Sequence, residues 1–446
     1  GVAVSASGLF SSLVRRKTAE ASLHEGSLGA VVDLNTGNPL AGKDGLTFVG
    51  SATGSYNDLS TKWGPRLAGL LSWKSPDERW GVSLSAAYSK LDTLQMGNNT
   101  VRWSQARFDS VDGTPCFTQE NSGGDYVPSA ACDEAALAFH PRIPRYGEIA
   151  QERERLGITG AIQWAPSEAT KVSIDGLFSR FRETREEKWG EVLLRSNERS
   201  IDVVNPSYDG SGNMVSATLD DAWVRTEHYL RKSQTKFYQL GGKWDQKLGD
   251  DFRFTLLGGF SKSDASIPVE TTLVFDDRDA QGYSFDYVTS RRPVLSFGTS
   301  VTDPANFQLA EIRDRPSSTV NKFRTAQLRT EWDVTDGFTV KTGAVYRRFS
   351  FDTEGFTRDT VVCGNGGVDR VLGTVNCSPS GTFGPGAVYG LPVTPEIAEL
   401  FKLRGADAPA GTTTEWLVPN LGAGTDYTNL YDRPLAIDAG NTRSVV

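Results

Sequence analysis

Apolar and polar residues alternate with a period of two along much of the chain. Residues 80–88 put Trp80, Val82, Leu84, Ala86 and Tyr88 on one side, with Gly81, Ser83, Ser85 and Ala87 on the other. The rhythm returns at Leu156, Ile158, Ile162 and Trp164, at Tyr238, Leu240 and Trp244, and at Phe252, Phe254, Leu256 and Phe260. It returns again at Ala326, Leu328 and Trp332, and at Phe338, Val340, Ala344 and Tyr346. Successive side chains of a strand point to opposite faces, so this period predicts β-structure. Nine strands are expected, over residues 47–56, 66–74, 79–90, 154–165, 170–184, 232–247, 252–266, 318–334 and 337–354.

The connections alternate in length. Turns at 75–78, 166–169, 248–251 and 335–337 are short, whereas 91–153, 185–231, 267–317 and 355–446 are long. Several loops above ~15 residues are unusual in a compact soluble domain. A transmembrane β-barrel has them by construction, with short turns at one rim and long loops at the other. Trp73, Trp164, Trp244 and Trp332 precede short turns, and Trp80, Phe252 and Phe338 follow them. A second aromatic stands eight residues on, at Tyr88, Phe260 and Tyr346. Eight residues of a strand tilted ~40° span roughly 20 Å, close to the ~25 Å apolar band of an outer-membrane barrel with its two aromatic girdles. These ten aromatics are therefore expected at the membrane interfaces. The small polar second face would look into a wide lumen, so Val82→Arg should damage assembly while Ser83→Arg should be tolerated.

Composition refines this. The 446 residues carry a net charge of −8 and a mean hydropathy of −0.36. The acidic balance argues against a nucleic-acid partner. No stretch approaches the ~20 apolar residues of a transmembrane helix, which does not bear on a barrel. Three histidines, far apart, make no metal site, and no metal or cofactor is expected. Four cysteines fall into two local pairs, Cys116 with Cys132 and Cys363 with Cys377, each in a loop. Disulfides in an oxidising compartment are the favoured reading and free thiols the alternative; each disulfide would contribute roughly 3 kcal/mol. Gly1 is not an initiator, and the chain reads as a processed product or part of a longer one.

Residues 17–40, KTAEASLHEGSLGAVVDLNTGNPL, resemble the end of the plug domain of TonB-dependent outer-membrane receptors. Lys17, Ala21, Glu25, Gly26, Gly29, Val32, Leu34, Thr36 and Pro39 match the family pattern. The usual Pro after the lysine is missing, and Ala30 replaces the second Gly of the motif. SGLFSSLVRR (7–16) fits the plug segment before it. PRIPRYGEI (141–149) and ERLGITGAIQWAPS (154–167) resemble a subfamily associated with carbohydrate uptake. The resemblance implies an all-β fold, a transmembrane antiparallel barrel of about 22 strands closed by an N-terminal plug. Residues 1–42 would be the C-terminal part of the plug and 43–446 the N-terminal part of the barrel, with long extracellular loops.

The implied function is active import of a scarce nutrient across the bacterial outer membrane, without covalent catalysis. The implied partners are outer-membrane lipid, the TonB energy-transducing complex, which acts through an earlier part of the plug, and a small extracellular ligand. An oligosaccharide is the first expectation and a siderophore or metal chelate the second. A passive porin or surface adhesin, and a secreted soluble β-protein, are the rival classes. No nucleophile–base constellation is visible; Asp92, Glu183, Glu186 and Glu187 read as a solvated rim. Aromatic faces stack on sugar rings and arginines supply hydrogen bonds, so Trp103, Arg107, Tyr126, Trp189, Trp223 and Arg225 are the six leading ligand candidates, with Phe117, Tyr229 and Arg102 as further ones. Thr394-Pro395-Glu396 predicts the start of a short helix carrying Ile397, Leu400 and Phe401 as its apolar stripe.

Overall fold

The computed structural model describes residues 12–16, 31–35, 37–289, 291–358, 360–363, 368–369, 373–379, 382, 384–437 and 442–445. Nine long strands dominate: β1 (Gly45–Asn57), β2 (Lys62–Lys74), β3 (Trp80–Asn99), β4 (Arg145–Ser167), β5 (Thr170–Leu193), β6 (Ala222–Leu248), β7 (Phe252–Ala280), β8 (Ser317–Thr335) and β9 (Phe338–Thr357). Each pairs antiparallel with the next in sequence, giving an up-and-down meander. The all-β expectation holds, and each predicted strand corresponds to one of the nine. Among the described residues β1 pairs with β2 alone, and the sheet is open rather than closed on itself.

The strands outrun the prediction at their loop ends. β3 continues to Asn99, β4 starts at Arg145, β5 reaches Leu193, β6 starts at Ala222 and β7 reaches Ala280. In these extensions both faces carry polar and charged residues, so the contrast that marks a strand in sequence disappears. At the other end the turns are tight. Ser75 and Trp80 exchange contacts across one of them: the Ser75 N–H donates to the Trp80 carbonyl at 2.9 Å, and the Trp80 N–H donates to Ser75 Oγ at 2.9 Å.

Exposure along the turn-proximal half is inverted relative to a soluble sheet. Trp80, Leu84, Ile162, Leu240, Trp332 and Tyr346 are exposed, Leu240 to 58 % and Tyr346 to 58 %. Trp73, Trp164, Trp244, Phe260 and Phe338 are exposed on the same face, with Tyr88 and Phe252 half-buried. On β3–β5 the opposite face is the covered one: Ser83, Ser85, Ala87, Thr159, Ala161 and Ser179 are all buried, whereas on β6–β9 it is open at Gln239, Arg253, Arg329 and Val345. Ser85 Oγ and Thr159 Oγ1 hydrogen bond at 2.5 Å across β3 and β4. Part of the cover comes from the segment before β1. A short 3-10 turn, Pro39–Ala41, lies on β3 and β4, and the Leu40 N–H donates to Gln163 Oε1 at 3.1 Å. Gly81 permits this approach, since a Cβ there would come within 3.0 Å of Pro39. The same contact revises one expectation. Ser83 lies under Gly37, which a Cβ would bring to 3.1 Å from Ser83 Oγ, so Ser83 has no room for arginine.

The apolar core sits at the other end of the sheet. Val192, Val224, Leu273 and Phe275 from the strand extensions pack with Leu194, Ile201, Met214, Tyr283, Leu295, Leu309 and Trp416 from the long loops. Short strands knit those loops together: Asp202–Tyr208 pairs with Met214–Asp220, which pairs with Tyr283–Asp286, and Gln308–Asp314 adds to the edge of β7. Disulfides join Cys116 to Cys132 and Cys363 to Cys377. Residues 394–397 form a turn and Ala398–Lys402 a strand paired with Glu415–Pro419, so the helix expected after Thr394 is replaced by a hairpin. The reason is burial: Phe401 and Leu403 enter the core while Leu400 stays exposed, a period of two that a helix would not produce.

Candidate functional site

Where the strands leave the apolar band, the polar face becomes a wall of alternating charge. On β5 every second residue from Glu183 through Arg185, Glu187, Trp189 and Glu191 points to this face, and the register sets Arg153 beside Glu183 and Arg145 beside Glu191. On β6 the matching positions are Arg225, Glu227, Tyr229 and Arg231. Strand alternation places them all on one surface.

A cleft of about 230 Å³ opens on this wall, bordered by Arg145, Glu187, Trp189, Glu227, Tyr229 and Glu270, with Arg313 at its far side. Arg145 stacks over the Trp189 ring, 4.1 Å from its centroid, and donates to Glu191 at 3.1 Å and Asn99 at 2.9 Å. The Trp189 indole N–H donates to Glu187 Oε2 at 2.8 Å. The Tyr229 hydroxyl donates to Glu270 at 3.0 Å; burial and then the Glu270 charge push its pKa up. Behind the cleft Arg225 grips Asp276 through two hydrogen bonds, 2.7 and 3.1 Å, and lies 3.6 Å from Glu311. Burial, reinforced by Glu227, raises Glu191 to about 7 despite Arg145 and Arg225 nearby. Such a surface offers donors and acceptors at close spacing around aromatic edges, which suits a polyhydroxylated ligand. Among the described residues no group of His, Cys, Asp and Glu is arranged to hold a metal.

The six leading ligand candidates divide. Trp189 and Arg225 belong to this wall, but Trp189 is buried under Arg145, and Arg225 is buried among Asp276, Glu227 and Glu311. Both therefore position their neighbours rather than present a free face. Trp223 is higher on β6, donating to Ser200 Oγ at 3.0 Å with Arg278 4.3 Å over its ring. Trp103, Arg107 and Tyr126 lie apart in the first long loop. Trp103 packs edge-on against Tyr287; Arg107 lies 4.4 Å over the Tyr126 ring, and the Tyr126 hydroxyl donates to Asp133 at 2.8 Å. The four rim carboxylates are paired, not merely solvated: Asp92 with Lys62, Glu183 with Arg153, Glu186 with His228 and Glu187 with Trp189. Tyr229, expected as a ligand contact, does border the cleft; Arg145, Glu227 and Glu270 were missed as site residues, and the signal that could have found them is charge at every second position, as in Glu183-x-Arg185-x-Glu187.

A larger trough of about 730 Å³ runs along the polar face nearer the short turns, lined by Asn38, Gln163, Ser173, Gln239 and Gly241. Of the plug-motif residues Pro39 is buried against the sheet here, whereas Lys17, Ala21, Glu25, Gly26, Gly29 and Thr36 lie outside the described residues. No protein-family model, curated protein or solved structure matches the chain.

Proposed function

We propose that the nine strands are part of a transmembrane β-barrel of the bacterial outer membrane, and that the protein is a TonB-dependent importer of an oligosaccharide. The observation that carries this reading is the inverted sheet. One face is apolar, exposed and edged with aromatics; the other is mostly small and polar, and on β3–β5 it is covered. In water that arrangement leaves large apolar side chains unburied along seven neighbouring strands, from Trp80 of β3 to Tyr346 of β9, which a soluble monomer rarely tolerates. In lipid it is the expected arrangement. The segment from Gly37 to Gly42, seated on the polar face, supports a plug that enters the lumen, and the resemblance of residues 17–40 to a plug end supports coupling to TonB. The folded loops and charged wall at the far rim support capture of a ligand from outside. Hydroxyl-rich ligands suit the cleft's mixed donors and acceptors better than a purely apolar one.

Uptake tests the reading. Cells carrying the protein should accumulate labelled oligosaccharide at low external concentration, and deleting TonB should abolish this accumulation. Equal high-affinity uptake with and without TonB would overturn active transport and favour a passive porin.

A further inference from the structure

Beyond the apolar band, the face that carries it turns basic on β6–β9. Lys236 follows Tyr238, Lys262 follows Phe260, Arg324 and Lys322 follow Ala326, and Arg348 follows Tyr346, each one step toward the loops. The register sets Lys262 directly opposite Lys322 and Arg324 directly opposite Arg348. Like charges placed opposite one another destabilise a sheet unless an anion lies between them. One carboxylate, Asp264, shares this patch and takes Lys262 at 3.0 Å. Among the described residues Lys236, Lys322, Arg324 and Arg348 make no ion pair, and Lys322, Arg324 and Arg348 are exposed. The Arg324 guanidinium lies 6.0 Å over the Phe260 ring, directly above the last aromatic of the band. On the opposite, polar face, by contrast, cations near the short turns are neutralised within the sheet: Arg253 by Glu331 at 2.7 Å, Lys243 by Asp245 at 2.8 Å and Lys341 by Glu331 at 3.3 Å.

We propose that this patch binds the phosphate groups of a phosphorylated glycolipid in the outer leaflet of the membrane. The proposal rests on the membrane reading above. Its chemistry is that of paired cations flanking a phosphate at headgroup depth, with acyl chains lying along the apolar band below. Opposed pairs two positions apart would each accept one phosphate, so a lipid with two phosphates fits best.

The test uses the protein extracted from outer membranes. Native mass spectrometry counts retained glycolipid for wild type and for the triple variant Lys322→Gln/Arg324→Gln/Arg348→Gln, after exchange into micelles doped with either the bis-phosphorylated glycolipid or its dephosphorylated form. Heat-modifiable gel migration reports barrel integrity independently. Wild type should retain the phosphorylated lipid. The triple variant should lose it by roughly a hundredfold, since each cation near an anionic lipid contributes about a fivefold factor, while remaining heat-modifiable. Equal retention by both proteins, or of both lipids, would overturn the phosphate contact with the membrane reading intact. A triple variant that loses heat-modifiability is replaced by the single variants, which should each show an intermediate loss; equal retention by all three would again overturn it. A wild-type protein found only in the soluble fraction would overturn the membrane reading and this proposal with it.

Discussion

Gly190 and Gly81 illustrate how single residues admit whole segments. Gly190 on β5 faces the buried Trp416 ring, and a Cβ there would lie 2.7 Å from it. Gly190→Ala is therefore an overpacking change, expected to cost about 1–3 kcal/mol in a denaturant titration of the loop region. Gly97→Ala, with nothing within 4 Å of its Cβ position, serves as the matched control and should change little. Leu240 and Gln239 are neighbours on β6 that face opposite ways. Leu240→Arg, at a site already 58 % exposed, would be harmless in a soluble protein. In lipid it should impair assembly by about 2–4 kcal/mol near mid-bilayer, with Gln239→Arg within ~0.5 kcal/mol of wild type, measured by the fraction of heat-modifiable protein. Equal behaviour of the two variants would remove the basis for assigning the faces.

Among the elements, the hairpin of Ala398–Lys402 and Glu415–Pro419 is held to β5 and β6 by a polar latch as well as by Trp416. His228 Nδ1 lies 2.6 Å from the Pro419 carbonyl and Nε2 lies 2.7 Å from Glu186. The ring thus bridges a backbone carbonyl of the hairpin and a carboxylate of β5. Lys188 bridges Glu399 at 2.8 Å and Glu186 at 3.4 Å. The His228 hydrogen bond, opposed by burial, brings Glu186 from its ordinary 4.5 down to about 2. A carboxylate lowered in the folded state contributes stability above its unfolded pKa and loses it as pH falls through the folded one. Protection of this hairpin against hydrogen exchange, corrected for intrinsic rates, should therefore decline between pH 4.5 and 2; constant protection across that window would contradict the latch. The first long loop is held differently, by Cys116–Cys132, both half-cystines buried. Replacing both cysteines by serine should cost about 3 kcal/mol in thermal unfolding of the loop region. These loop elements were largely illegible in sequence. Helix Ala130–Leu137, capped by Ser129, buries Cys132 and Ala135 in the loop core, and the strand Ala398–Lys402 pairs with Glu415–Pro419. Local propensity at Thr394-Pro395-Glu396 pointed to a helix and lost to the burial of Phe401.

At the scale of the whole molecule two surfaces divide the chain. One is an apolar band read directly from the period-two pattern, because each of its strands contrasts one face sharply with the other. Above it stands a folded set of loops whose core, from Val192 to Trp416, joins residues more than 200 positions apart. No local pattern encodes such contacts. The charged wall lies between them, visible in sequence only as charge at alternate positions and ambiguous there, since both faces are polar. The proposed barrel requires that the apolar face meet lipid. Spin labels on Leu240→Cys and Gln239→Cys, in protein reconstituted into bilayers, report which face meets lipid. In a barrel wall the label at 240 should be relaxed by oxygen dissolved in the acyl chains, and the label at 239 by a water-soluble paramagnetic complex. Access of the water-soluble complex to both positions alike would contradict the barrel.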